Sequence, residues 1–173
     1  MRTLLVLIAL CGATPALAQA LGVEVRGGAG LTGYTSPDQL LSPFVNGRLE
    51  DVSIDLIWNP PVNPLFVIGS PGVEVGATAN FGLGDSLAHA NLLWQVWVPL
   101  TPIYVEGGLG AATVVRSVPT GCAIMPYATA GIGAALGDNF TVTLGVDHAN
   151  DFGLCGGTAT QKTTLGAQVG FRF

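Results

Sequence analysis

Apolar and polar side chains alternate in short stretches from residue 22 to the end of the chain. In the segment 51–58, every even position from Val52 to Trp58 is apolar, whereas Asp51, Ser53 and Asp55 take odd positions. Period two is the repeat of a β-strand, whose successive side chains point to opposite faces. Eight such segments, the first at 22–31 and the last at 163–173, predict a sheet with one apolar and one polar face.

The chain is too apolar for an ordinary surface in water. Only 10% of its residues are charged and its mean hydropathy is +0.55, whereas about a quarter of the residues of a soluble domain are charged. After the first 20 residues, no apolar run is long enough for a spanning helix, and a closed barrel is the other backbone that satisfies its hydrogen bonds in lipid. We therefore predict an all-β fold: an antiparallel, up-and-down transmembrane β-barrel of about eight strands.

The first residues have the pattern of a secretory signal. Arg2 is followed by the apolar run 4–10 and by the small-x-small site Ala16-Leu17-Ala18, which is typical of a cleaved signal peptide. We predict a signal peptide at residues 1–18 and one barrel domain at residues 19–173. Export together with a barrel fold indicates the bacterial outer membrane.

An even number of strands implies that short and long connections alternate between the two ends of the barrel. The segments 100–102 and 137–139 have the length of inner turns, and 33–47, 117–125 and 150–160 that of outer loops. The connection from Asn59 to Pro71 falls on the inner side although it is long and rich in proline, and the pattern does not explain it.

The polar positions of the predicted strands face the lumen. A barrel of eight strands is filled by side chains, so we expect a buried polar and ionic network there and no pore. The tryptophans near strand ends are interpreted as interfacial anchors. The predicted lumen network comprises Glu24, Arg26, Asp55, Glu74, His89, Glu106, Arg116 and Arg172, and the predicted anchors are Trp58, Trp94 and Trp97.

Charge and motifs exclude several classes of function. The formal net charge of −5 argues against a nucleic-acid partner. Phosphate-binding loops, Cys-x-x-Cys pairs and a His-Glu-x-x-His motif are all missing, and the two histidines are separated with no clustered carboxylates, so no cofactor or metal is expected. In an exported chain, Cys122 and Cys155 favour a disulfide; two unrelated thiols are the alternative.

The end of the chain carries a more specific pattern. The segment 146–155, Val-Asp-His-Ala-Asn-Asp-Phe-Gly-Leu-Cys, is followed by a closing Gly-Phe-Arg-Phe strand. It resembles the C-terminal signature of the PagL-type lipid A 3-O-deacylases. The resemblance implies an outer-membrane barrel that hydrolyses an ester-linked acyl chain of lipid A, with lipopolysaccharide and outer-membrane lipids as partners. In that family, a His-x-Ser-Asn motif ends the penultimate strand and a glutamate on the last strand completes a triad outside the barrel.

The resemblance carries over to single residues only in part. His148 falls on the general base of the family, but Asn150 takes the place of the serine. The glutamate position lies near Gln161 to Thr163, and Thr163 is its candidate. Since an asparagine has no hydroxyl to deprotonate, it is no serine-like nucleophile. The resemblance thus implies a PagL-like barrel with a degenerate triad.

Two alternatives remain open at the level of sequence. A shifted triad would use Thr158 or Thr160 as nucleophile and Asp147 or Asp151 as the orienting acid, although strand parity turns Asp147 towards the lumen. A different class is a non-enzymatic structural or adhesive barrel that resembles the OmpW or opacity-type proteins. A hydroxyl within hydrogen-bond reach of His148 would favour the hydrolase.

Overall fold

The computed structural model describes residues 22–32, 47–60, 70–82, 85–115, 124–153 and 161–173. These segments contain eight β-strands joined by turns and loops. The strands are β1 (Val23–Thr32), β2 (Arg48–Trp58), β3 (Gly72–Asn80), β4 (Ser86–Trp97), β5 (Ile103–Val115), β6 (Met125–Leu136), β7 (Phe140–Asn150) and β8 (Gln161–Arg172).

Each strand pairs antiparallel with its neighbours in sequence, and β8 pairs with β1 to close the barrel. The closing ladder runs from Glu24 opposite Arg172 to Thr32 opposite Thr164. This arrangement confirms the predicted eight-stranded antiparallel barrel. Among the described residues, no helix is long and apolar enough to cross a membrane.

The connections divide between two ends. The end that holds the start of β1 and the end of β8 also holds the turns at 98–102 and 137–139, and we name it the terminal end. The other end, the loop end, holds the connections after β1, β3, β5 and β7. The predicted signal peptide, Arg116, both cysteines of the predicted disulfide, Thr158 and Thr160 lie outside the described residues, as does most of the connection after β2.

The barrel wall is apolar outside and polar inside, the reverse of a protein folded for water. The predicted strand faces are confirmed: on β2, Ile54 is 57% exposed while its neighbour Asp55 is 2% exposed. Apolar side chains of all strands from β2 to β8 contribute to the exposed wall, among them Leu56, Val75, Val96, Leu109, Ile132, Leu144 and Val169.

A charge-balanced network fills the terminal end. Arg26 donates to both carboxylate oxygens of Glu106, at 2.7 and 3.0 Å, and to Glu24 at 2.7 Å. Arg172 donates to the second oxygen of Glu24 at 2.9 Å. Two guanidinium groups thus offset two carboxylates, and these side chains form the polar and ionic network that the sequence predicts inside the barrel.

Trp97 differs from its predicted role as an interfacial anchor. Its ring lies 5.0 Å below the Arg172 guanidinium and 4.8 Å from the ring of Tyr104. Tyr104 and Arg172 both contact the lumen network. Position 97 is an inward position of β4, so the Trp97 ring lies on the same side of the wall as these two side chains. Trp97 therefore covers the ionic network at the terminal end, where its indole face attracts the cation.

Candidate functional site

Four polar side chains interrupt the apolar wall where β7 and β8 reach the loop end. His148 lies opposite Thr163 and Asn150 lies opposite Gln161 in the ladder of these two strands. All four occupy outward positions, two residues apart along each strand, in continuation of the apolar pairs below them. We call this group the β7–β8 polar patch; it consists of His148, Asn150, Gln161 and Thr163.

The His148 ring is held by a hydroxyl. Its Nδ1 lies 2.8 Å from Thr163 Oγ1, with the donor set by the tautomer of the ring. Across the described segments, the hydrogen-bond partner of this ring is therefore a hydroxyl and not a carboxylate. In a working triad, an acid holds the base from one side and a nucleophile approaches the other.

Asn150 is engaged with its own turn. Its Nδ2 donates to Gln161 Oε1 at 3.3 Å, and its Oδ1 accepts from the backbone N–H of Phe152 at 2.8 Å. Phe152 and Gly153 both have positive φ, 51° and 70°, so the side-chain acceptor stabilises a turn whose backbone is otherwise costly for Phe152. A carboxamide in this role fixes the chain after β7 and supplies no nucleophile.

The candidate residues of the shifted triad do not lie together at His148 in the part of the chain that the structure describes. Asp147 lines an interior cavity, as strand parity predicts, so the barrel wall separates it from His148. Asp151 is 2% exposed and its carboxylate accepts from the backbone N–H of Gly153 at 2.9 Å. Thr158 and Thr160 lie outside the described residues. The hydroxyl found beside His148 is that of Thr163, which the sequence placed at the glutamate position.

The second histidine lies inside the barrel among carboxylates. His89 Nε2 lies 3.2 Å from Asp55 Oδ1, and one donor atom from each of Asp55, Glu74 and His89 lies within 4.8 Å of the others. The sequence predicts no carboxylates clustered beside a histidine, and this prediction is wrong for His89. Strand parity places each of these residues inside, but only the strand register shows that they meet.

Comparison with solved structures identifies the architecture. The Neisserial surface protein A, NspA, superposes with a TM-score of 0.60 at 15% identity, over 88% of this chain and 97% of that one. The fold is that of the small outer-membrane β-barrels. The outer membrane enzyme PagL superposes with a TM-score of 0.58 at 14% identity, over 87% of this chain and 99% of that one.

Comparisons of sequence add no family. No family model matches the chain, and no curated protein matches it. At identities of 14% and 15%, the structural likeness concerns the fold alone, and it is shared by an enzyme and by a surface protein. The polar patch must therefore be judged on its own residues.

Proposed function

We propose that this chain is a bacterial outer-membrane barrel that binds lipid A through the β7–β8 polar patch without hydrolysing it. The proposal includes export through cleavage of a signal peptide at residues 1–18. The apolar outer wall supports insertion in a bilayer, because exposed side chains such as Leu109 at 64% and Val169 at 58% would otherwise meet water.

The observation that carries the binding proposal is the position of the patch. The hydrogen-bonding side chains of the patch lie at the loop end of a largely apolar wall, and we place this end at the level where acyl chains meet polar headgroups in the outer leaflet. Placing polar side chains on a lipid-facing surface costs free energy in the hydrocarbon region. Hydrogen bonds to hydroxyl, amide or phosphate groups of a bound lipid would offset that cost. Lipid A carries such groups next to its acyl chains.

We expect no hydrolysis because the serine and the glutamate of the resembled triad are both replaced in this chain. Asn150 has no ionisable hydroxyl at the position that resembles the serine, and Thr163 stands where the resemblance places a carboxylate. Ester hydrolysis through a covalent intermediate requires an activated nucleophile and an oriented base together. The patch keeps the base His148 and offers polar contacts in place of the other two groups.

A direct test is native mass spectrometry of the purified barrel offered lipid A or phosphatidylethanolamine. We expect the wild type to retain lipid A, and His148→Ala and Gln161→Leu to lose at least most of it. Thr113→Val is the matched control, because Thr113 is an exposed outward residue near the loop end of β5. Equal retention by all four proteins, or equal retention of both lipids by the wild type, would refute specific binding at the patch.

One observation favours a second candidate, hydrolysis with Thr163 as nucleophile. Its hydroxyl lies 2.8 Å from the His148 ring, which is the separation a nucleophile and its base require. However, Thr163 is only 5% exposed, and an ester carbonyl must reach the hydroxyl for attack. Thr163→Val separates the candidates: it abolishes any release of fatty acid from lipid A under this second candidate and changes no product under the first.

A further inference from the structure

We propose that the interior of the barrel binds one divalent transition-metal ion, of the Zn²⁺ class, through Asp55, Glu74 and His89. These residues lie on β2, β3 and β4, on the lumen side of the wall and away from the β7–β8 polar patch. The proposal is independent of lipid binding, because it concerns the opposite face of the barrel wall.

The strand register brings the three donors together. Asp55 on β2 lies opposite Gly76 on β3, and Gly76 lies opposite His89 on β4. A Cβ at Gly76 would overlap the Asp55 carboxylate and the His89 ring, so the glycine leaves the space in which these two side chains approach. Glu74 is the next inward residue on β3.

Charge is unbalanced in this layer, in contrast to the terminal end. Five carboxylates line one cavity together with His89. Asp51 and Glu106 are paired with Lys162 and Arg26, whereas Asp55, Glu74 and Asp147 form no ion pair with a lysine or arginine of the described segments. Carboxylates removed from water are strongly penalised unless a cation or a proton compensates them. A bound divalent cation would supply the missing positive charge.

Buried polar atoms in this layer lack hydrogen-bond partners. His89 Nδ1 and Asn91 Oδ1 have none among the described residues, and His89 Nε2 and Asp55 Oδ1, 3.2 Å apart, have only each other. The side chains of His89 and Asp55 are only 3% and 1% exposed. Buried polar atoms in native proteins are almost always satisfied, so this concentration of unsatisfied donors and acceptors indicates a ligand.

The geometry suits a small metal ion. Zn²⁺ bonds to histidine nitrogen and carboxylate oxygen at about 2.0–2.2 Å, which places tetrahedral ligands about 3.3–3.6 Å apart. The 3.2 Å between Asp55 Oδ1 and His89 Nε2 is close to the lower end of this range. The cavity volume of ≈ 20 Å³ accommodates one ion or one water. The imidazole donor favours zinc and its neighbours over Ca²⁺ and Mg²⁺, which prefer oxygen ligands.

Neighbouring side chains orient the donors. Gln168 donates to Asp55 Oδ2 at 2.6 Å, which leaves Oδ1 directed at His89. Asn91 donates to Glu74 Oε2 at 2.7 Å. The Tyr127 ring stacks on His89 with centroids 4.5 Å apart and planes 14° apart. Metal ligands are commonly fixed by such outer contacts.

The test is zinc binding by the mature barrel, refolded in detergent and treated with a chelator. We expect competitive titration with ZnCl₂ to give one zinc per chain, and affinity at least about ten-fold lower in Asp55→Asn and His89→Ala. Thr78→Val changes a residue that lines the same cavity and is not among the three proposed ligands, and His148→Ala changes the outer surface. Both variants should bind zinc like the wild type. Heat-modifiable gel mobility checks that every variant folds.

Two results would overturn the proposal. One is wild-type affinity no higher than that of Asp55→Asn and His89→Ala, which would mean that protons balance the carboxylates. The other is an equal loss in His148→Ala, which would move the zinc to the surface. If the ligand variants fail to fold, zinc X-ray absorption of His148→Ala decides, because His89 is then the one histidine left in the sequence. Imidazole scattering with oxygen neighbours supports the site, and a shell without imidazole refutes it.

Discussion

The two histidines of the chain occupy opposite environments. His89 lies inside the barrel among Asp55, Glu74 and Asp147, whereas His148 lies on the outer wall against the hydroxyl of Thr163. The inner histidine has a carboxylate oxygen 3.2 Å away, and the outer one has a hydroxyl at 2.8 Å and no acid in contact across the described segments. Carboxylates beside the His89 imidazole can bind a cation. Hydroxyl and amide groups beside the His148 imidazole can hydrogen-bond to a polar lipid.

The largest expected effect comes from giving the outer histidine the groups it lacks. Asn150→Ser combined with Thr163→Glu should create deacylase activity at least about 10³-fold above the wild type, since triad members act as a unit. Mass spectrometry of lipid A from expressing cells measures the product. The triple variant that adds His148→Ala is the control, and product formation by the triple variant would show that the triad positions are misassigned.

Zinc binding should stabilise the barrel through the inner histidine. At a zinc concentration of about 100 times Kd, we expect the free energy of unfolding to rise by about 2.7 kcal/mol in the wild type. In Asp55→Asn the rise should be at most about 1.4 kcal/mol, because an affinity at least ten-fold lower leaves zinc at no more than about ten times the Kd of the variant. Urea unfolding followed by gel mobility measures both. An equal rise in the two proteins would mean that zinc stabilises the barrel from elsewhere.

Gly76 tests how tightly the inner histidine and its acid approach. Gly76→Ala should lower the free energy of unfolding by about 2 kcal/mol, the usual cost of an added methyl group in a packed interior, because the Cβ would overlap Asp55 and His89. Gly145→Ala is the matched control: the nearest atom to its Cβ would be the Ala130 carbonyl oxygen at 3.4 Å. Equal costs for the two variants would contradict a close approach at Gly76.

The smallest effect is expected on the outer wall. Thr163→Val removes one hydrogen bond to His148 and should cost about 1 kcal/mol of unfolding free energy, because the ring can find other partners at the rim. Denaturant unfolding measures it, with Thr113→Val as the exposed control. A cost above about 3 kcal/mol would mean that the pair is a structural element of the barrel and not a binding group.

Much of the fold follows from the period-two pattern. The number of strands and the orientation of Asp55, His89 and His148 could all be predicted, because an apolar wall outside and a polar lumen inside impose strict alternation. The pattern is weaker at the loop end, where β4 begins at Ser86 and β5 ends at Val115. There the lumen itself is apolar, and the alternation disappears in the buried cluster of Leu87, Ala112, Met125, Tyr127 and Ala149.

The candidate sites could be predicted less completely. The outward position of His148, Asn150 and Thr163 follows from parity, and the structure adds which of them touch. The inner cluster was missed because Asp55, Glu74 and His89 are distant in sequence and form no motif. The register of three strands brings them together, with Gly76 between Asp55 and His89. From the sequence alone, the one visible sign is a glycine at an inward position of β3.

The central claim, that the outer histidine binds lipid A and does not cleave it, is tested most directly by mass spectrometry of lipid A. Cells expressing the wild type are compared with cells expressing His148→Ala at equal protein level. We predict identical lipid A spectra, with every ester-linked acyl chain present in both. Loss of one ester-linked acyl chain in the wild type alone would contradict the claim and establish the chain as a deacylase.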